Sequence, residues 1–531
     1  MVLEDNMEWV VLGEEKGRIK LVSKSSTTGL LPKGSYLTIE KGDSKFILRV
    51  DQSLQYEPYS PSPLIIEMDL SPLKEDQKCQ NIVYAYRVKD INNRKDGLID
   101  FIQPQLIARR SNQEEINLAL SSESNGPKVF IATIHSGQNQ ILHDEEGMPI
   151  TASLPIDMFY HQMLICGSTG SGKTVAMKYL AQYFVEEIKG AVLAINVKDI
   201  DFLRMDRPSF TKNKEIQNEW KALNQEPHGI YNFTIYYPAN TSIERSMGVS
   251  ENKCKKITLD VKTIDPDALT GLLQGITDKA AQNLPNIFRY WQYQNQSKRD
   301  TKNFTFNNFV NYFNNYAENR EFHTRNIRGE EGLITLARGT IENIQRSLDI
   351  ALSFFDNEHA ECITEKDILE KEKMSVINVT GNYGIQFGSI LLRHLLNLIV
   401  TVKDKQEYPD VPVLIVIDEV HQFYNTESSL EALGYLDTIC RTGRSKKIGV
   451  IFSSQNPSDI PKGLSSVINT KIFFKGEANS AKGFGISISN EEMESLKKGY
   501  AVASIHELSQ LKIIKMPLSL AGVFEKEEFD A

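Results

Sequence analysis

Eight consecutive residues, Gly167-Ser168-Thr169-Gly170-Ser171-Gly172-Lys173-Thr174, fill every fixed position of the pattern GxxxxGK[ST]. The chemistry of that pattern is phosphate binding. Its glycines let the backbone bend until successive N–H groups and the amino end of a helix face phosphate oxygens. Lys173 is then placed to reach the β- and γ-phosphates of ATP, and the Thr174 hydroxyl to ligand Mg²⁺, an ion that keeps several waters and takes few protein ligands. A second acidic element, Asp418-Glu419, directly follows the apolar run Val413 to Ile417. A buried parallel strand delivers such a pair to its carboxyl end, the edge where ligands of α/β proteins bind. Asp418 is expected to hold Mg²⁺ through its water shell. Glu419 is expected to orient and deprotonate the attacking water, the positioning that phosphoryl transfer requires. By itself an acidic pair after a strand is often a helix cap; after an intact phosphate loop it reads as part of a nucleotide site.

Two further elements belong to the same chemistry. In Ile451-Phe452-Ser453-Ser454-Gln455 a polar residue ends another apolar run, and Gln455 is the candidate to contact the γ-phosphate or the water. Just before it stand Arg441, Arg444, Lys446 and Lys447. Arginine suits a finger acting from a neighbouring subunit, because it is planar, always charged and able to bridge two phosphate oxygens. An isolated cluster of this kind is a solvated helix end, where cations meet the carbonyl dipole. Arg441 and Arg444 share the finger assignment.

The elements that must position these groups are legible in the periodicity. Gln162 to Cys166 is a short apolar run ending at glycine, Thr174 to Ile188 has helical spacing, and Ala191 to Val197 is again apolar, so strand, helix and strand form a βαβ unit with a parallel sheet. The sheet pattern resumes at Met374 to Val379, continues through a helix at Ser389 to Val402, and closes with runs at Ile448 to Ser453, Thr470 to Phe474 and Tyr500 to Ile505. Before residue 150 the segments are short and alternating (Gly17 to Val22, Ser35 to Glu40, Lys45 to Val50, Leu64 to Leu70, Asn81 to Val88, Leu98 to Ile107, Lys128 to Ile134), which suggests a small barrel or sandwich. From 203 to 373 the chain reads as largely helical and polar, with Asp265-Pro266 as a helix start. Aromatics interleaved with asparagine from Phe304 to Tyr316 could stack on bases, although a helix core explains them more simply.

The expected fold class is α/β, which together with the family resemblance described below implies a RecA-like P-loop ATPase core over 151–202 and 374–520, an N-terminal small β-barrel over 1–150, a helical insertion over 203–373 and a tail over 521–531. With 60 Lys and Arg against 69 Asp and Glu, the 531 residues carry a net charge of −9, which rules out a polycationic tail protein. Any binding to nucleic acid must use positive charge gathered locally. Five scattered cysteines, never in a CxxC, fit a reducing cytosol and neither a disulfide framework nor a zinc ribbon. An acidic amino end and apolar runs of strand length point to a soluble cytoplasmic protein with no membrane partner. His135 and His143, followed by Asp144, Glu145 and Glu146, fit no standard metal spacing.

In order and spacing, LICGSTGSGKT (from Leu164), IVIDEVHQF (from Ile415), ICRTGRSKKIGVIFSSQNPSDIP (from Ile439) and VINTKIFF (from Val467) resemble the HerA/FtsK superfamily of hexameric DNA-pumping ATPases. LKKGYAVASI (from Leu496) resembles its final strand, and the β-rich region ending in VFIATI (from Val129) resembles the HerA-type barrel. The resemblance covers residues 1 to about 202 and 374 to about 520. It implies a homohexamer around double-stranded DNA, with ATP between subunits and an arginine from the neighbour completing each site. It also implies a partner, a NurA-like nuclease or another effector such as a sirtuin-like NADase, in DNA-end processing or antiphage defence. The chain departs from the family at Tyr160, where an arginine usually precedes the histidine, and at Asn196, where an aspartate is usual.

Other classes fit less well. Asp418-Glu419-Val420-His421 resembles the DExH helicases, but those need a second RecA-like core, for which too little chain follows Thr470. A non-enzymatic alternative is a nucleotide-binding ring scaffold that assembles an effector and turns over little ATP. Lys198 and Arg204 are candidates to line a channel, with surface solvation the simpler role for each.

Overall fold

Trp9, Val11, Ile19, Leu21, Leu37, Ile39, Phe46, Leu48, Val83 and Ala85 occupy alternate positions of five short segments, and in the computed structural model they form one buried cluster. The structure describes residues 9–23, 30–56, 80–91, 98–121, 125–198, 200–241, 248–273, 278–296, 304–381, 383–423, 435–460, 466–486, 488–508 and 510–524. The expected strand Leu64 to Leu70 and residue Asp199 lie outside them.

The chain divides into two units, residues 1–156 with 472–517 and residues 157–471 with 518–531. In the first, period-two burial closes six antiparallel strands into a barrel: Trp9–Glu15, Arg18–Ser23, Tyr36–Lys41, Ser44–Tyr56, Gln80–Ile91 and Ile107–Arg110. Ile107–Arg110 completes the closure by pairing with both Trp9–Glu15 and Tyr36–Lys41. The strand expected from Leu98 is irregular as far as Leu106, because Pro104 lacks an N–H and Gln105 turns through φ +73°. In the same unit Lys128–His135 pairs with Gln138–Ile141, Thr151–Ser153 and Ile513–Lys515, and the last pairs with Tyr500–Ser504. The closing strands near the carboxyl end thus group with the amino-terminal unit.

The second unit is built on a parallel sheet whose five strands from Lys373–Asn378 to Met163–Cys166 are almost wholly buried, as two-sided coverage by helices requires, while the two at its other edge are only partly so. Its order is Cys254–Ile257, Asn232–Pro238, Lys373–Asn378, Ala191–Asn196, Val413–Ile417, Ile448–Ser454, Met163–Cys166. Ile448–Ser454 therefore lies between the strand before the phosphate loop and the strand that ends in Asp418. Gly449 is required there: a Cβ would come within 1.9 Å of the Phe159 carbonyl oxygen. Lys173–Glu186 and Gly384–Asp404 are the long core helices. The second is long and apolar enough to cross a membrane, yet most of it is buried within the protein. Gly271 backs onto its Ser389–Ile390 backbone so closely that a Cβ would meet the Ile390 nitrogen at 2.8 Å.

Residues 203–373 are helical over Lys214–Ala222, Asp278–Gln296, Phe306–Ala317 and Arg338–Ala351. They also supply Asn232–Pro238 and Cys254–Ile257 to the sheet and a hairpin, Glu321–Arg325 with Glu331–Thr335. Phe306, Phe309 and Phe313 are buried, and Phe309 meets Phe288 edge to face at 4.8 Å. The helix-core explanation holds for these rings, and base stacking does not. The fold is thus the expected one: a P-loop α/β core, a small amino-terminal barrel and a helical insertion.

Candidate active site

The loop after Met163–Cys166 turns through three glycines with positive φ: Gly167 (+154°), Gly170 (+77°) and Gly172 (+119°). Non-glycine residues rarely adopt that backbone. Gly167 is buried at the strand end, while Ser168, Thr169 and Gly170 are exposed and Ser171 is buried again, its hydroxyl donating to the Ser168 carbonyl at 2.7 Å. The helix begins at Lys173, with Thr174 in its first turn. The Lys173 ammonium is buried and donates to the carbonyls of Gly167 (2.7 Å) and Ser168 (3.2 Å). Burial pulls it below the ordinary lysine range, and Glu419 and Asp418 act against that pull. The loop lysine and the acidic pair are therefore within electrostatic reach of one another.

Val413–Ile417 is fully buried and carries Asp418 and Glu419 to its carboxyl end, both almost fully buried. Glu419 takes a left-handed backbone (φ +47°, ψ +57°), which is unusual for a non-glycine residue and turns the chain sharply as it leaves the sheet. Asp418 Oδ1 accepts from the Ser453 hydroxyl and, at 3.0 Å, from the Glu419 amide. Burial raises the Asp418 carboxyl, and the Ser453 bond only partly offsets this. Among the described residues both donors to Asp418 reach Oδ1. This buried oxygen donor at the mouth of a phosphate loop has the chemistry a hard divalent cation takes.

Glu419 Oε1 accepts from the Lys198 ammonium at 2.5 Å and from the Gln455 amide at 3.1 Å. Burial pushes this carboxyl up, but the bonds from Lys198 and Gln455 outweigh it and the net shift is downward. Glu419 Oε2 is buried without a hydrogen bond; His421 Nδ1 stands 3.6 Å away and lies equally far from Asp459 Oδ2. Gln455, at the end of Ile448–Ser454, is thus brought onto Glu419. Lys198 comes there too, a contact that its channel assignment did not announce. The available signal was its place two residues beyond Ala191–Asn196, the strand next to Val413–Ile417.

The other candidates sit elsewhere. Arg441 closes the helix Tyr435–Thr442, with Nε bonded to both Asp437 oxygens at 2.8 and 3.0 Å. Arg444 is exposed and pairs with Asp157 at 3.4 Å. Arg204 is buried, its guanidinium 4.9 Å from the centre of the Phe524 ring, and the channel role is withdrawn for it. Tyr160 packs its ring against Phe184 of the phosphate-loop helix at 6.3 Å. Asn196 is fully buried; its amide donates to Asn378 Oδ1 at 3.0 Å and its oxygen accepts from the Phe202 amide at 2.9 Å. Both departures from the family pattern are structural here. Among the described residues no group of His, Cys, Asp and Glu has the arrangement of a separate metal site.

Known proteins resemble parts of this chain, and the family match includes the phosphate loop but ends before Asp418. Residues 140–401 match the family model described as the central domain of the helicase HerA (DUF87). The DNA double-strand break repair helicase HerA of Sulfurisphaera tokodaii is 26% identical over 162 residues, 29% of this chain and 33% of that protein. The probable DNA double-strand break repair helicase HerA of Methanocaldococcus jannaschii is 26% identical over 218 residues, 35% and 43% of the two chains. The chain therefore spans between a third and a half of the curated relatives it matches. Among solved structures, the bacterial conjugative coupling protein TrwB in its sulphate-bound trigonal form aligns over 79% of this chain and 95% of its own, with 12% identity and a TM-score of 0.47. VirB4 of Thermoanaerobacter pseudethanolicus aligns over 75% and 97%, with 12% identity and a TM-score of 0.45.

Proposed function

We propose that this chain, a HerA-like ATPase, binds ATP with Mg²⁺ on the loop Gly167–Thr174 and hydrolyses it to move double-stranded DNA. The observation that carries the reading is the joining of three separate segments at one point. Gln455, just past Ile448–Ser454, donates to Glu419 at the tip of the acidic strand, and the charges of Glu419 and Asp418 act on the buried Lys173 of the loop.

In this reading the amides of Gly167 to Gly172 and the helix start hold the phosphates, and the Lys173 ammonium leaves the loop carbonyls for the β- and γ-phosphate oxygens. Thr174 and Asp418 would hold Mg²⁺, which when bound neutralises phosphate charge. Glu419 orients a water and takes its proton, with Oε2 as the acceptor still open. Gln455 fixes the direction of that carboxylate.

The assembly is a homohexamer with ATP at each seam, completed by Arg441 or Arg444 of the neighbour. The partner is a nuclease or another effector, in DNA-end processing or in antiphage defence. The named activity of the HerA relatives supports the DNA substrate. The second reading, a nucleotide-binding ring scaffold with slow turnover, is favoured by the ion pair that engages Glu419. Purified protein tests both. Lys173→Ala should abolish turnover, and hydrolysis at the wild-type rate by that variant would refute the site. Glu419→Gln should bind ATP while its turnover falls by about 10²–10⁴. Duplex-stimulated hydrolysis with directional movement on DNA separates the translocase from the scaffold.

A further inference from the structure

The ion pair between Lys198 and Glu419 is lopsided: the lysine side chain is 42% exposed and the glutamate side chain 3%. The lysine side chain is open to solvent, whereas the carboxylate is shielded. Lys198 stands just past Ala191–Asn196, whose last residue is pinned through its side chain to Asn378 and to the Phe202 amide. The root of the lysine is therefore fixed, while its four-carbon stem remains free to swing. At the other end, Glu419 Oε1 is shared by Lys198 and Gln455, and Oε2 has no hydrogen bond. With an ammonium on Oε1 the carboxylate is held in one orientation and its charge is partly neutralised. A half-exposed pair involving a flexible lysine is weak and sensitive to competing ions.

We propose that Lys198 is a latch on Glu419: it holds the carboxylate until a phosphate oxyanion takes the ammonium, and that exchange frees Glu419 to serve the attacking water. The proposal rests on the reading of Glu419 as the water-positioning carboxylate. Lys198 is in this sense a positioning residue, acting through Glu419. The phosphate has two possible sources, the terminal phosphate of a nucleotide on the neighbouring loop or the backbone of a DNA duplex. Both present the oxyanion that an exposed lysine recognises.

The test uses the full chain and reads the latch apart from turnover. Lys198 is labelled with an amine-acetylating reagent and quantified by peptide mass spectrometry. Replacing its partner, Glu419→Gln, should raise its labelling rate by up to about fivefold, the ceiling for a half-exposed pair. A non-hydrolysable ATP analogue, ADP and a plain duplex are then added separately to the wild type. A change with the triphosphate analogue but not with ADP assigns the nucleotide as the trigger; a change that needs the duplex assigns DNA. Labelling that ignores both Glu419→Gln and all three additions overturns the latch. In turnover, Lys198→Met should raise the untriggered rate and flatten the response to the trigger, while Lys198→Arg keeps wild-type behaviour. A fall with Lys198→Met to the level of Glu419→Gln would make the lysine a required catalytic group and also overturn the latch. A wild type without any hydrolysis would count against the ATPase reading, and the labelling arms would still decide whether Lys198 is held and released.

Discussion

Gln455 Nε2 donates to Glu419 Oε1 at 3.1 Å, which ties the tip of Ile448–Ser454 to the tip of the adjacent Val413–Ile417 strand. Glu419 leaves its strand in a left-handed conformation, so its side-chain direction depends on contacts outside its own strand. Gln455→Ala removes one neutral donor to a charged acceptor, an interaction of about 1.5–3 kcal/mol. Turnover should fall about 10- to 100-fold with KM for ATP nearly unchanged, because the bond orients the carboxylate and does not hold the nucleotide. Steady-state kinetics check this; a raised KM at constant kcat would place Gln455 on the nucleotide instead.

The two arginines differ in how firmly they are held. Arg441 is bonded to both oxygens of Asp437 one turn back on its own helix, whereas Arg444 has a longer, half-exposed contact with Asp157. A residue that must reach a neighbouring subunit's phosphates is better served by the looser tether. Arg444→Ala should lower turnover about 10³-fold or more, the scale of a trans-acting finger. Arg441→Ala should alter it only a few fold, as expected for an exposed surface pair. Mixing Arg444→Ala subunits with Glu419→Gln subunits should restore part of the activity, since some seams then carry both intact groups. The reverse ranking, with rescue by Arg441→Ala mixtures alone, would move the finger to Arg441.

The candidate site was legible as a pattern because phosphate chemistry constrains residue types tightly: Gly167 to Thr174 stand out in one segment, and Asp418-Glu419 after the apolar run before it. The ion pair of Lys198 with Glu419 was not legible, because it joins positions 221 residues apart and depends on which strands lie side by side. The alternation of Trp9, Val11, Ile19 and Leu21 announced a β unit, but closure depends on Ile107–Arg110 pairing on both edges, a long-range fact. Asn232–Pro238 was hidden by the polar composition around it; its buried residues, Phe233, Ile235, Tyr236 and Pro238, are too few to stand out in a helical background.

Glu115 anchors one end of the barrel. Its carboxylate is almost fully buried and accepts from Arg109 at 2.6 and 3.0 Å, from the Thr38 hydroxyl at 2.9 Å and from the Asn112 amide at 3.1 Å. Removing Arg109 leaves the buried carboxylate with Lys45, 3.4 Å away and partly exposed, as its counter-ion. The loss is about 3–5 kcal/mol for a fully buried pair and less here because Lys45 remains and Arg109 is itself partly exposed. Arg109→Met should therefore lower stability by about 2 kcal/mol. The double variant Arg109→Met with Glu115→Met should recover part of that loss, because no unpaired charge remains. Denaturant unfolding of the three proteins measures it; a double variant less stable than Arg109→Met would show that the remaining bonds to Glu115 matter more than its charge.

Asp265 and His394 respond to acid in opposite directions. The Asp265 amide donates to His394 Nδ1 at 3.3 Å. Burial, helped by Asp267, raises the Asp265 carboxyl to about 6, and burial lowers the His394 imidazole to about 4 against an opposing pull from Asp260. Asp265 has a folded value above its ordinary 3.8, so the stability it contributes is present below 3.8 and is lost as pH rises through about 6. His394 has a folded value below its ordinary 6.5, so its contribution is present above 6.5 and is lost as pH falls through about 4. Between pH 6 and 4 the two opposite slopes nearly cancel, and the pair adds little pH dependence in the wild type. Each single variant should expose the other partner. His394→Gln, which keeps an acceptor for the Asp265 amide, should gain up to about 3 kcal/mol relative to wild type on going from pH 6 to 4. Asp265→Asn, which keeps the cap, should lose a similar amount over the same interval. Thermal or denaturant unfolding at several pH values, read as the difference from wild type, tests both signs. Parallel curves for all three proteins would show that neither group titrates away from its ordinary range.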